Sequence, residues 1–130
     1  MMVVYICASD AAGVLGCSID ELDRWRRTIL PGDPRREAGQ RDDEFRPDEI
    51  VAVAAGLWLK SVKAAAPEAV AARLARAMPD GEDWGLVRRG PSKIETFTGT
   101  VAIDMHGKAR VPKTFNAGRV FDAIRAIGPG

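Results

Sequence analysis

The chain begins with a segment of helical hydrophobic spacing between an extended leader and a glycine. Small and apolar residues recur on one face over Asp10–Leu15, which predicts a helix, and the hydroxyl of Ser9 is suited to cap its first amides. Gly16 is suited to end this helix because glycine adopts positive φ at little steric cost. The β-branched and aromatic residues of Val3–Cys7 predict a short strand or a packed leader before it.

A second helix is predicted over Ile19–Arg27, where Leu22 and Trp25 lie at helical intervals on an apolar face. Ser18 stands at the N-cap position and Glu21 follows three residues later, a spacing typical of a capping box. Two short helices around a glycine turn, with small and apolar residues where they meet, are typical of a helix–turn–helix.

Prolines divide the middle of the chain. Residues 31–46 combine prolines, glycines and many charges, which predicts a long loop or a short hairpin with an exposed surface. Pro47 suits the first position of a third helix, whose broad apolar face extends to Val62. Pro67 begins a further helix, which ends before Pro79.

The composition changes after this helix to β-branched and aromatic residues separated by Gly-Pro and His-Gly turns. This pattern predicts a small antiparallel sheet, in which Val101–Met105 pairs with Ala109–Val111 around a turn at His106. A last helix is predicted over Ala117–Ile127, which carries apolar residues on one face.

The order of these elements predicts an α+β fold. It consists of an N-terminal winged helix–turn–helix with supporting helices over residues 1–78 and a small β-rich region over residues 79–130, which holds an antiparallel hairpin or sheet and a C-terminal helix. We expect the first region to carry the function. The second region is expected to serve self-association, a protein partner or an accessory contact.

Composition and charge are those of an ordinary globular protein. The 130 residues are 46% hydrophobic and 28% charged, with a formal net charge of +1, so any basic surface must be local. Residues 1–60 hold 8 basic and 11 acidic residues, a balance of −3, and residues 61–130 hold 11 basic and 7 acidic, a balance of +4. The acidic first part argues against simple electrostatic attraction of that part to nucleic acid.

The chemistry-bearing residues give no sign of an enzyme or a cofactor. Cys7, Cys17 and His106 cannot supply the four ligands of a metal site, and no glycine-rich phosphate loop or catalytic constellation occurs. The two cysteines are interpreted as small buried hydrophobes in a reducing compartment, although a disulfide between them is geometrically conceivable. The absence of a signal peptide and the shortness of the longest apolar run, Ile50–Leu59, predict a cytoplasmic protein without a membrane partner.

The segment ASDAAGVLGCSIDELDRWRR, followed by a charged loop and FRPDEIVAVAAGLWL, resembles the winged helix–turn–helix of MerR-type regulators and related phage excisionases over residues 5–60. In that family the helix–turn–helix ends near Trp-Arg-Arg, an arginine-rich wing follows, and an aromatic-arginine pair leads into another helix. Four features depart from the family. Acidic residues lie on the proposed reading helix and also interrupt the arginines of the wing, Pro67 interrupts the position of the long dimerisation helix, and the C-terminal part lacks the cysteines of a metal-sensing loop.

The resemblance implies that the second helix enters the major groove of double-stranded DNA while the wing contacts flanking phosphates. Ser18 and Arg24 are then the nearest to the bases. Asp20 could either accept a hydrogen bond from a cytosine amino group or repel the phosphate backbone. The full set of DNA-binding residues implied by the resemblance is Ser18, Ile19, Asp20, Arg24, Arg27, Arg35, Arg36, Arg41 and Arg46.

The functional expectation is a small sequence-specific DNA-binding protein of phage or mobile-element type, acting as a transcriptional regulator or excision factor, with a homodimer as a further expectation. The alternative is a protein-interaction module, such as an antitoxin or adaptor, whose helix–turn–helix does not read DNA. The acidic balance of the first 60 residues favours this alternative.

Overall fold

The computed structural model describes residues 5–29, 43–79, 81–90, 93–98 and 114–127, and in these ranges it combines five helices with two small antiparallel sheets. The predicted mixture of helices and antiparallel strands is therefore confirmed. The predicted hairpin of residues 101–105 and 109–111 and most of the charged loop 31–46 lie outside the described residues.

Helices and strands alternate irregularly along the chain. In order they are β1 (Ile6–Cys7), α1 (Ala8–Leu15), α2 (Ile19–Ile29), β2 (Glu44–Phe45), α3 (Pro47–Ser61), α4 (Pro67–Arg76), β3 (Trp84–Gly90), β4 (Lys93–Thr98), β5 (Thr114–Asn116) and α5 (Ala117–Ile127). The predicted last helix is confirmed. No helix among the described residues has the length and apolar character needed to cross a bilayer.

Helix α1 begins earlier than predicted, at Ala8, and Cys7 rather than Ser9 occupies its N-cap position. The reason is tertiary: β1 pairs antiparallel with β2, and the pairing continues as the amide of Ala8 donates to the carbonyl of Asp43 at 2.9 Å. A backbone contact thus satisfies the first helical amide, that of Ala8, and the helix begins two residues before Asp10. The predicted end of α1 is confirmed, since Gly16 has a φ of 68°.

Helix α3 is the centre of the core because it is buried on two sides. Ile50 and Val53 belong to a cluster that includes residues of α1 and α2, whereas Val51 and Ala55 belong to a second cluster that includes Trp84 of β3. These α3 side chains are all fully buried. Residues on both sides of position 78 therefore pack on one helix.

The larger sheet has the strand order β4-β3-β5, with both neighbours antiparallel to β3. Its buried aromatic side chains face α3: the ring of Phe115 lies 6.1 Å from that of Trp84 and 6.2 Å from that of half-buried Trp58. Trp84 and Trp25 are core residues, 1% and 7% exposed. Tertiary burial of aromatic rings therefore joins the sheet to the helices.

Gly56 of α3 provides the clearest test of how α2 docks. A Cβ atom at this position would lie 2.6 Å from Cζ3 of Trp25, which is too close for any side chain. Gly56→Ala is therefore expected to lower the free energy of unfolding by about 1–3 kcal/mol, because the Trp25 ring must leave its packed position. Urea denaturation measures this change.

Gly13 of α1 is the matched control because it is exposed and helical, and a Cβ there would meet no atom within 4 Å. Gly13→Ala is expected to raise the free energy of unfolding by about 0.5–1 kcal/mol through helix propensity alone. A Gly56→Ala variant as stable as the wild-type protein would contradict the packing of Trp25 on α3.

Candidate nucleic-acid interface

Helix α2 carries most of the described candidate residues, and its start is defined by local chemistry. The hydroxyl of Ser18 accepts a hydrogen bond from the amide of Glu21 at 3.0 Å, which is the serine half of the predicted capping box. The helix runs to Ile29 rather than ending at Arg27, because Ile29 is only 2% exposed and packs in the core.

The inner face of α2 contains an arginine as well as apolar residues. Leu22 is fully buried beside Trp25, and Arg26 follows Leu22 by one helical turn on the same face, with 8% exposure. Its Nε donates to Oε2 of Glu49 in α3 at 2.8 Å, and its guanidinium lies 4.2 Å from the ring centre of Phe45. This buried ion pair ties α2 directly to the start of α3.

Glu49 uses its second carboxylate oxygen in the same region. Oε1 accepts a hydrogen bond from the amide of Arg46 at 3.0 Å, three residues before Glu49, so the carboxylate also caps the N-terminus of α3. Glu49 is 1% exposed. These two hydrogen bonds offset the free-energy cost of removing the carboxylate from water, as the burial of a charge requires.

Arg46 does not lie on the surface as the resemblance implied. Its side chain is buried, and its Nε donates to Oδ1 of Asp48 at 3.0 Å. The guanidinium is therefore occupied inside the protein, at the start of α3. A guanidinium enclosed in this way is not available to contact a phosphate.

The outer face of α2 brings together the remaining described candidates. Ser18, Ile19, Asp20, Arg24 and Arg27 are all exposed, and Ile19 is exposed to 49%, unusual for a large hydrophobic residue in this structure. The other proposed phosphate contacts, which lie outside the described residues, are Arg35, Arg36 and Arg41.

The charges of this outer face nearly cancel. Nη2 of Arg27 lies 2.7 Å from Oδ2 of Asp23 one turn earlier, so part of its charge is neutralised locally. This side of the helix carries three acidic residues, Asp20, Glu21 and Asp23, and two basic ones, Arg24 and Arg27. With Arg26 committed to the core, the solvent-facing side of α2 has no excess of positive charge.

Two cysteines lie at the ends of α1, and they differ in environment. Cys7 is exposed and its thiol donates to Oδ2 of Asp10 at 3.2 Å. Cys17, in the turn before α2, is partly buried; this burial raises the pKa of its thiol, and the carboxylate of Glu21 raises it further. In the described ranges, no group of three His, Cys, Asp or Glu side chains could hold a metal ion.

The sequence pattern located the exposed residues of α2 but missed the Arg26–Glu49 pair. A signal for Arg26 was present, since a charged residue four positions after Leu22 falls on the apolar face of the helix. Nothing in the sequence identified Glu49 as its partner, 23 positions away.

Comparisons with protein-family models, with curated proteins and with solved structures each found no match for this chain.

Breaking the buried ion pair should be costly. Glu49→Ala leaves the Arg26 guanidinium without its carboxylate, and we expect a loss of about 3–5 kcal/mol in the free energy of unfolding. Asp23→Ala removes the exposed pair with Arg27 and should cost at most about 1 kcal/mol. Chemical denaturation of the two variants side by side measures the difference.

A double variant, Arg26→Met with Glu49→Leu, separates lost pairing from lost packing. It should recover part of the stability that Glu49→Ala loses, because neither charge is then buried alone. Similar stability losses in Glu49→Ala and Asp23→Ala would contradict the burial of the pair.

The two thiols should differ in reactivity. The raised pKa of Cys17 means that less of it is thiolate at a given pH, and alkylation by iodoacetamide follows the thiolate. We therefore expect Cys17 to react more slowly than exposed Cys7 at mildly alkaline pH, and to need a higher pH for the same rate. Mass spectrometry of each cysteine-containing peptide measures both rates.

Unfolding in urea is the control for this comparison, because it removes the burial of Cys17 and should bring the two rates together. Equal rates in the folded protein would contradict the position of Cys17 in the turn between α1 and α2.

Proposed function

We propose that this protein is a sequence-specific DNA-binding protein that reads the major groove with the outer face of α2. The observation that carries the proposal is the two-sided character of this helix. Its inner face is anchored by Leu22, Trp25 and the Arg26–Glu49 pair, whereas its N-terminal and outer residues are exposed. A rigidly held helix with exposed polar side chains is suited to base readout.

The arrangement of α1 and α2 also supports the resemblance to winged helix–turn–helix proteins of the MerR and excisionase type. A glycine turn joins the two helices at Gly16. Residues 30–42, which carry Arg35, Arg36 and Arg41, connect the end of α2 to β2, and β2 pairs with β1. We propose that this connection is the wing and that its arginines contact phosphates beside the site read by α2.

The balance of charges on α2 implies that its contribution is mainly specificity. Non-specific affinity for DNA comes from cations on phosphates, and α2 offers Arg24 and a partly neutralised Arg27 against three acidic residues. We therefore propose a regulator or excision factor of phage or mobile-element type that acts on double-stranded DNA in the cytoplasm, as a homodimer.

Selection from a random pool of double-stranded DNA at low salt tests the proposal. We expect enrichment of a defined sequence, and two symmetric half-sites would report a dimer. Arg24→Ala should then weaken binding to the enriched sequence by about tenfold or more, and binding to random DNA by less, since a base contact is worth about 1–3 kcal/mol.

Arg119→Ala is the matched control, because Arg119 is an exposed arginine on α5 rather than on α2. It should leave both affinities unchanged. Equal losses of Arg24→Ala on the two DNAs would show that Arg24 contributes only electrostatically, and a pool that shows no enrichment at low salt would contradict the proposal as a whole.

One observation favours a second candidate, a protein-interaction module such as an antitoxin or adaptor. The outer face of α2 combines a half-exposed Ile19 with Asp20 and Asp23, which suits a basic protein surface as well as a DNA groove. A basic protein that co-purifies with the wild-type chain but not with Asp20→Asn, together with no retardation of DNA at low salt, would favour this candidate over the first.

A further inference from the structure

A cleft of about 130 Å³ lies between one flank of α2, the end of α3 and the start of α4. The side chains that line it are Glu21, Arg24, Trp25, Thr28, Lys60 and Glu68. The α2 residues among them follow one another at helical intervals, and Lys60 and Glu68 stand near the end of α3 and the start of α4. The cleft therefore depends on three helices and has no signature in any one of them.

The charges around the cleft are balanced and separate. Glu21 and Glu68 supply two carboxylates, and Arg24 and Lys60 supply two cations. No ion pair within 4.0 Å joins any two of these four side chains, although opposite charges around so small a space could neutralise each other. The cleft thus presents both signs of charge to whatever occupies it.

The remaining lining favours a bound cation beside the acidic residues. Oγ1 of Thr28 donates its proton to the carbonyl of Arg24 at 2.8 Å, so towards a ligand this oxygen can only accept. Trp25 also lines the cleft, with 7% exposure, and its ring is fixed against Gly56. The lining therefore offers two carboxylates and a hydroxyl acceptor for a cation, and Arg24 and Lys60 for an anion.

The chain between α3 and α4 contains two positive φ values, 56° at Lys63 and 49° at Ala66, and Ala66 directly precedes Pro67. At Lys63 this conformation ends α3: the amides of Lys63 and Ala64 donate to the carbonyls of Lys60 and Leu59 at 3.1 and 3.0 Å, as in a Schellman C-cap. The end of α3 that carries Lys60 is therefore held by backbone hydrogen bonds.

We propose that this cleft binds a small zwitterion, a molecule with an ammonium group and a carboxylate a few bonds apart, such as a short amino acid. Its carboxylate pairs with Arg24 and Lys60, and its ammonium pairs with Glu21 and Glu68. The volume of the cleft suits a molecule of a few heavy atoms, since a cavity of about 150 Å³ holds one benzene molecule.

Titration of the full chain with L-alanine and 4-aminobutyrate, followed by two-dimensional NMR, tests the proposal. We expect saturable shifts of amides in α2 and in the α3–α4 turn for at least one of the two probes. Acetate and methylammonium, which carry one charge each, should need at least tenfold higher concentrations, because each lacks one of the two charged contacts. Equal responses to all four probes, or no saturable response, would overturn the proposal.

Charge-neutral variants test which residues of the cleft bind the zwitterion. Lys60→Gln and Glu68→Gln should each weaken binding of the zwitterion by about tenfold, since a hydrogen bond to a charged group is worth about 1.5–3 kcal/mol. Lys63→Gln is the matched control: this lysine is exposed in the adjacent turn but does not line the cleft, so binding should be unchanged. Unchanged binding in Lys60→Gln and Glu68→Gln, or an equal loss in Lys63→Gln, would overturn the assignment.

Arg24 links this cleft to the outer face of α2, because it is exposed and lines the cleft as well. An occupant that engages Arg24 should therefore lower the affinity of the protein for DNA, a consequence that rests on the proposed function. Adding the bound probe to the complex with the selected DNA measures this effect. A chain that binds no DNA would contradict the proposed function alone, whereas probe binding with unchanged DNA affinity would overturn only the link through Arg24.

Discussion

The buried contact between Arg26 and Glu49 determines how the N-terminal part of this molecule is arranged. Removing two charges from water is expensive, and the attraction between them offsets that cost only if both are held in close geometry. Here the same carboxylate also accepts the amide of Arg46, and the guanidinium lies over Phe45. The pair therefore fixes α2, β2 and the start of α3 relative to one another, because a shifted helix would leave a charge buried alone.

Helix α3 extends this constraint to the rest of the fold. One of its sides packs with α1 and α2, and another packs with β3, β5 and α4. Gly56 permits the ring of Trp25 to lie directly on the helix backbone, where any side chain would exclude it. Because both faces of α3 are filled, the sheet and the helices of the N-terminal part share one core, and the position of α2 depends on packing far along the chain.

The outer face of α2 is the surface through which we propose that this protein meets its partner. Its exposed serine, isoleucine, aspartate and arginine residues offer hydrogen bonds and one apolar contact, with little net charge to attract a polyanion. Such a surface discriminates by fit rather than by long-range attraction. The adjoining cleft uses Arg24 as well, so a small charged molecule and a macromolecule would meet at the same side chain.

Hydrophobic periodicity, together with glycine, proline and serine at element ends, was enough to predict most helices, the end of α1 at Gly16 and the cap of α2 by Ser18. The exposure of Asp20 and Arg24 was predicted in the same way. These features depend on neighbours within a few residues, which the sequence shows directly. The start of α1 at Ala8 depended instead on the carbonyl of Asp43. The burial of Arg26 and Arg46 depended on carboxylates at the start of α3. An arginine looks the same in a sequence whether its charge faces solvent or a buried glutamate. Only the tertiary structure decides between the two, since desolvation and pairing depend on which distant residue is brought within 3 Å, roughly one hydrogen-bond length.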